Sequence, residues 1–285
     1  MSPAGPPPPG AGPQPAGSRP VPSAESRRGT VERVTAETAV LVVVDLDQPL
    51  RPGEWSASEP GDAEPVPDRP GGTEPVPDRP GGTEPVPDRP ASAEPVPDRP
   101  ASAEPVPDRP ADAELDRPVS TGIPFFDHML DQLGRHGELG LLVRVHGDVS
   151  VDAHHTVEDT GIALGEALGH ALGDRAGIRR FASLSLPLDE ALVDVALDCS
   201  GRPYLYWDVP AAGGPLGTPG FDPQLAEEFW RAVVVGAGLT LHVELRRGRN
   251  PHHVVEATFK AMARALHHAT RRNGDAVPST KGRLG

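Results

Sequence analysis

Two five-residue strings, His154-His-Thr-Val-Glu158 and His252-His-Val-Val-Glu256, carry the residue types of a transition-metal site, and the chain carries them twice. Each opens a run with helical character. At about 3.6 residues per turn, positions i and i+4 stack on one face, so His154 can share an ion with Glu158 and His252 with Glu256. His155 and His253 are turned by about 100° from their neighbours and point toward a different ion or a different subunit. A lone His pair on a polar helix face is usually just solvated, but duplication makes a two-metal enzyme site the leading expectation. Imidazole nitrogen with a minority of carboxylate oxygen suits manganese, iron, zinc, cobalt or nickel, whereas magnesium or calcium would want oxygen throughout. The single cysteine, Cys199, excludes thiolate metal frameworks and internal disulfides alike.

These motifs need a scaffold, and alternating apolar positions together with i, i+3, i+4 spacing outline one. The pattern predicts strands at Thr30–Thr35 and Ala39–Leu46, a helix at Phe125–His136, a strand at Leu141–Val145, and then the first motif helix running on to Leu172. The second half repeats the order: strands at Ser183–Leu186 and Ala191–Cys199, a helix at Pro223–Ala237, a strand at Leu239–Leu245, and the second motif helix running on to His268. Two ββαβα halves imply an α/β (α+β) sandwich with both metal motifs at equivalent places.

Most of the 37 prolines fall in 1–26 and 48–118. Glu-Pro-Val-Pro-Asp-Arg-Pro recurs at 64–70, 74–80, 84–90, 94–100 and 104–110 with a strict ten-residue period, and each unit offers one valine. Such a repeat cannot bury a core, so 48–114 is expected to be a disordered, polyproline-like insertion and 1–26 a disordered tail. Loop closure cost rises only logarithmically with length, so 27–47 and 115–285 are expected to fold as one interrupted domain, with halves 27–47/115–180 and 181–275. A net charge of −14 and 4% aromatic residues speak against nucleic-acid binding. No apolar run approaches the roughly 20 residues of a membrane span, and the N-terminus lacks a signal-peptide pattern. A cytoplasmic location without membrane or nucleic-acid partners is the expectation.

Ser120-Thr-Gly-Ile-Pro-Phe-Phe-Asp-His-Met-Leu-Asp-Gln-Leu133, the two His-His motifs, Gly238-Leu-Thr-Leu-His-Val243 and Pro278-Ser-Thr-Lys-Gly282 together resemble the imidazoleglycerol-phosphate dehydratase family. The resemblance extends over nearly all of 27–47 and 115–285. It implies two pseudo-twofold-related halves of the ribosomal protein S5 domain 2-like type. It also implies dehydration of D-erythro-imidazole glycerol phosphate to imidazole acetol phosphate and water, a step of L-histidine biosynthesis. By that likeness two manganese ions per site are held by His128, His154, His155, Glu158, His242, His252, His253 and Glu256, in a homo-oligomer of 24 subunits with sites at subunit contacts. The substrate proton to be lost is not acidic and the leaving hydroxyl is poor. An imidazole ring bridging two metals loses its N–H more readily, and the imidazolate so formed can expel the adjacent hydroxyl. A carboxylate must then take the carbon-bound proton; the candidate is Glu37, where the family places a substrate-contacting glutamate. Catalytic roles accordingly fall on Glu37, His128, His155, Glu158 and Glu256. Substrate contacts fall on Glu37, His136, Arg180, Arg202, Lys260, Ser279 and Lys281, the cations serving the phosphate. Pro124 stands where the family has glycine, and Ala153 and Pro251 precede the two His pairs; a proline there suits the first helical turn.

Two rival readings compete. A metal-binding assembly protein without turnover would keep the scaffold but would not need Glu37, Arg180, Arg202 and Lys281, all of which are present. Val42-Val-Val-Asp-Leu-Asp47 resembles the nucleophile strand of haloacid-dehalogenase-type phosphatases, but Gln48-Pro49 follows in place of that family's Gly-Thr.

Overall fold

The computed structural model describes residues 27–50, 117–211, 213–282 and 284. The proline-rich tail at 1–26 and the decapeptide repeat within 48–114 lie outside the described residues, apart from 48–50. In chain order the elements are β1 (Arg28–Val34), β2 (Thr38–Asp45), β3 (Val119–Ser120), α1 (Pro124–Gly137), β4 (Gly140–Gly147) and α2 (His154–Leu172). The same order then recurs as β5 (Phe181–Leu188), β6 (Ala191–Asp198), β7 (Tyr204–Asp208), α3 (Leu225–Ala237), β8 (Thr240–Arg247) and α4 (Pro251–Thr270). The two sheets have matching orders, β1-β2-β4-β3 and β5-β6-β8-β7.

Each half is therefore βββαβα, one strand richer than the ββαβα expected from periodicity. β3 is two residues long, too short for alternation to register. β7 exists through its parallel pairing with β8, a long-range contact that Tyr204-Leu-Tyr-Trp-Asp208 does not announce. The expected strand and helix ends move by at most two residues, as element boundaries commonly do.

The run Ala39–Val44 reads as continuously apolar because β2 is covered on both faces. Val40, Val42 and Val44 enter the main core beside the helices, while Leu41 and Val43 meet Leu142 beneath Leu50 on the opposite face. The helices lie against the sheets, α2 on β1 and β2 and α4 on β5 and β6, and they join the halves crosswise, α2 against α3 and α1 against α4. Both motif helices are buried along most of their length, which explains their small residues. The α2/α3 contact is close: a Cβ placed on Gly165 would lie 2.7 Å from the carbonyl oxygen of Val233.

The helix starts that carry the motifs are locally encoded. Pro124 and Pro251 both occupy the first helical turn, where a missing N–H costs nothing. Asn250 caps α4 by accepting the His252 N–H at 2.9 Å, and Asp152 accepts the His154 N–H at 3.0 Å. The first His of each motif thus has its amide held by a residue two positions earlier.

Candidate metal centre and phosphate pocket

Packing of α1 against α4 sets His128 beside the second motif. His252 Nε2 lies 3.1 Å from one carboxylate oxygen of Glu256, and His128 Nε2 lies 3.5 Å from the other. One ligand atom from each of these three side chains falls within 4.8 Å of the others, the one such trio of His, Cys, Asp or Glu among the described residues. Metal–nitrogen and metal–oxygen bonds of about 2.0–2.2 Å let three donors so placed close on a single ion after small rotamer adjustments. Two imidazoles and one carboxylate fit a first-row transition metal.

Lys260, one turn beyond Glu256, places its ammonium 2.8 Å from the same carboxylate. Burial works against charge on Glu256, but Lys260, His128 and His252 outweigh it and hold the carboxyl below the usual glutamate value. His136 continues the α1 face: its Nε2 lies 3.1 Å from Gln132 Oε1, and Gln132 Nε2 in turn reaches His128 Nδ1 at 3.4 Å. Desolvation, followed by the charges of Lys260 and Arg264, lowers the pKa of His136.

The other expected ligands sit apart from this trio within one chain. On α2, His154 Nε2 lies 3.7 Å from Glu158. His155 Nδ1 lies 2.9 Å from Glu37, the residue just before β2. His253 Nδ1 lies 2.7 Å from Glu190, the residue just before β6. His242 projects from the exposed face of β8 between the rings of Tyr204 and Tyr206, at centroid distances of 5.5 and 5.6 Å.

A second cluster forms where β5 begins. Arg180, Arg202, Ser279 and Lys281 line one open pocket together with Pro278, Thr280 and Leu284. Arg180 is already committed: its Nε and Nη2 donate to the two oxygens of Asp198 at 2.7 and 3.1 Å, and its Nη1 donates to the Pro278 carbonyl at 2.9 Å. It therefore ties the C-terminal segment to β6 as well as lending charge. Arg202 is exposed and reaches Asp198 only at 3.8 Å. Lys260, expected with these cations, belongs instead to the Glu256 cluster.

Sequence reasoning passed over Glu190, Asp198, Tyr204 and Tyr206. The signal for Glu190 was present, since it holds in the second half the place Glu37 holds in the first. The phosphatase-like segment finds no open nucleophile: Asp45 Oδ1 accepts the N–H groups of Asp47 and Gln48, and Asp47 is paired with Arg27. No helix among the described residues is long and apolar enough to cross a membrane.

Comparison with known proteins bears on this arrangement. The family model for imidazoleglycerol-phosphate dehydratase matches residues 121–266. A relative from Anaeromyxobacter dehalogenans bearing that name is 56% identical over 166 residues, spanning 58% of this chain and 80% of the relative. One from Roseobacter denitrificans is 56% identical over 167 residues, spanning 58% of this chain and 85% of the relative. Among solved structures, the Staphylococcus aureus dehydratase superposes with a TM-score of 0.51 at 41% identity, over 54% of this chain and 87% of that one. The Pyrococcus furiosus enzyme superposes with a TM-score of 0.56 at 25% identity, over 89% of this chain and 100% of that one.

Proposed function

The chain belongs to the imidazoleglycerol-phosphate dehydratase family, and on that premise we propose that it is a hydro-lyase converting D-erythro-imidazole glycerol phosphate to imidazole acetol phosphate and water in L-histidine biosynthesis. The observation that carries this reading to the site is the convergence of His128, His252 and Glu256 from two helices that are distant in sequence. We assign His128, His252 and Glu256 to one manganese ion, and His154, His155, Glu158, His242 and His253 to the completion of a two-ion site. Within one chain these last five are dispersed, which supports a site shared between subunits of a homo-oligomer, a 24-mer by family likeness. When bound, the two ions supply Lewis acidity and a template for the imidazole ring.

The chain's own residues divide the remaining work. The pocket of Arg202, Ser279 and Lys281, braced by Arg180, receives the phosphate, with charge-assisted hydrogen bonds fixing its orientation. Glu37 takes the carbon-bound proton; its carboxylate is more than half exposed and, among the described residues, held only by His155, so it can swing toward a substrate. Lys260 counters the charge of Glu256 before the ion arrives and can turn to the substrate afterwards. His136 extends the α1 face toward the same space. We place the protein in the cytoplasm, with 27–47 and 115–285 as its dehydratase domain, in keeping with the lack among the described residues of a helix long and apolar enough to cross a membrane.

The decisive assay strips the purified protein with chelator, reloads it with Mn(II) and follows imidazole acetol phosphate formation, with His155→Ala beside it. Metal-dependent turnover abolished in the variant is the expected result. Metal uptake without turnover would overturn the assignment in favour of a catalytically silent scaffold. A fall of specific activity on dilution to monomers tests the shared site, and an active isolated monomer would refute it.

A further inference from the structure

The turn between β5 and β6 places Glu190 across the start of α4. One of its carboxylate oxygens accepts the backbone N–H groups of Asn250 at 2.9 Å and Arg249 at 3.3 Å, and the other meets His253 Nδ1 at 2.7 Å. Backbone N–H groups only donate, so the first oxygen is fixed in position as an acceptor. The second, being part of an ionised carboxylate, is likewise an acceptor. Nδ1 must then carry the proton, and the neutral ring keeps its lone pair on Nε2. Nε2 is left facing outward, 3.8 Å from the exposed carboxylate of Asp189.

We infer that Glu190 is a positioning residue that sets the tautomer and direction of the His253 ring, so that Nε2 is presented ready to bind a metal. The inference rests on the reading of His253 as a metal ligand. It extends that reading to a residue outside the assigned ligand and substrate-binding sets. Carboxylates behind metal-binding imidazoles commonly act this way, and removing them typically weakens metal binding by about 10–100-fold.

The first half supports the assignment through its own copy of the pair. Glu37, also the last residue before a strand, meets His155 Nδ1 at 2.9 Å. The two carboxylates differ in how they are held. Glu190 is tied to two backbone amides and is one-third exposed, whereas the Glu37 carboxylate is 58% exposed and has no backbone donor among the described residues. The same pseudo-twofold position thus carries an anchored carboxylate that orients a ligand in one half and a free-swinging carboxylate suited to moving a proton in the other.

The test is an ordering of variants in the full assembled protein, read as Mn(II) affinity from the electron paramagnetic resonance signal of the free ion. In Glu190→Gln the two backbone amides hold the amide oxygen, so the amide NH2 faces His253. Nδ1 must then accept and the proton moves to Nε2, blocking metal. Glu190→Ala frees the ring to take either tautomer. The expected result is that Glu190→Gln weakens Mn(II) binding by about 100-fold and Glu190→Ala by about tenfold, at the ends of the usual range. Both metal-free proteins should melt close to the parent. A purely structural role for Glu190 predicts the opposite order, since Gln keeps its shape; finding Glu190→Gln equal to the parent or milder than Glu190→Ala overturns the inference. Should Glu190→Gln fail to fold, unchanged affinity in Glu190→Ala overturns it and weakened affinity upholds it. His253→Ala separates the two layers. If it binds Mn(II) with parental affinity and stoichiometry, the ligand reading itself fails and the inference with it. If it loses an ion while both Glu190 variants keep theirs, only the inference fails.

Discussion

Replacing Gly165 by alanine should loosen the seam that holds the two halves together, and the neighbouring glycine one turn on supplies its own control. In the middle of α2, alanine is favoured over glycine by about 1 kcal/mol through backbone entropy alone. Against this stands space. A Cβ on Gly165 would lie 2.7 Å from the Val233 carbonyl oxygen and 3.0 Å from the α-carbons of Val233 and Gly236, while ordinary contact begins at 3.4 Å. The obstacles are α3 backbone, which no rotamer change can move, so α2 and α3 must part by about 0.7 Å, the shortfall from ordinary contact, at an overpacking cost of about 1–3 kcal/mol. At Gly169 the nearest atom is the Gly236 oxygen at 3.1 Å, and helix propensity should win. Gly165→Ala is therefore expected to lose about 1 kcal/mol net, a fall in Tm of about 2–4 °C for a fold of this size, while Gly169→Ala matches or exceeds the parent. Thermal unfolding followed by the fluorescence of Trp230, fully buried on α3, reads the effect. Protein concentration must be fixed, because assembly itself shifts apparent stability. Because α2 carries His154, His155 and Glu158, Gly165→Ala should also weaken Mn(II) binding. A Gly165→Ala protein more stable than the parent, with Gly169→Ala the less stable of the two, would refute the close backbone contact and the argument from it.

Three other expectations concern groups away from the metal centre. Arg180→Lys keeps one charge but at most one of the three hydrogen bonds to Asp198 and Pro278, so it should cost about 2 kcal/mol in urea unfolding and raise KM about tenfold with kcat little changed, as the segment bearing Ser279 and Lys281 loosens; a lowered kcat with unchanged KM would contradict this. Burial pushes the Cys199 thiol up to about 12, so the native protein should resist a thiol-specific disulfide reagent at mildly alkaline pH and release one equivalent on denaturation; rapid stoichiometric labelling of the folded protein would count against it. The Arg27 guanidinium beside Asp47 holds that carboxyl below its ordinary value of 3.8, so the pair contributes stability above that pH and loses it as the pH falls through the lowered folded value. Asp47→Asn should then cost less than about 1 kcal/mol at neutral pH, because Asp47 is partly exposed, and the gap to the parent should close on acidification; a gap that widened in acid would sink this account.

The sequence alone determined the features that depend on neighbours along the chain. His154 with Glu158 and His252 with Glu256 face one another because a helix repeats every 3.6 residues or so. Pro251 suits the first turn of the second of those helices, and β2 could be placed from its apolar run. The doubling of the motif, and the family motifs around it, pointed to the chemistry before any coordinate did.

What tertiary structure decided are the contacts between residues far apart in the chain. Only the packing of α1 on α4 sets His128 against Glu256; helical spacing does not rank that histidine above His146 or His170, and the family motif around it does. The Lys260–Glu256 pair is by contrast local, four residues apart on α4, and follows from helical spacing alone. Asp198, at the end of β6, emerges as the anchor of Arg180 because strand pairing of β5 with β6 brings their ends together. β7 forms because β8 offers it an edge, and Glu190 finds His253 because a hairpin turn closes over a helix start. Local periodicity fixes which way a side chain points on its own element; which partner it meets is set by sheet register and helix packing, whose energy is spread over many apolar contacts and belongs to no single motif.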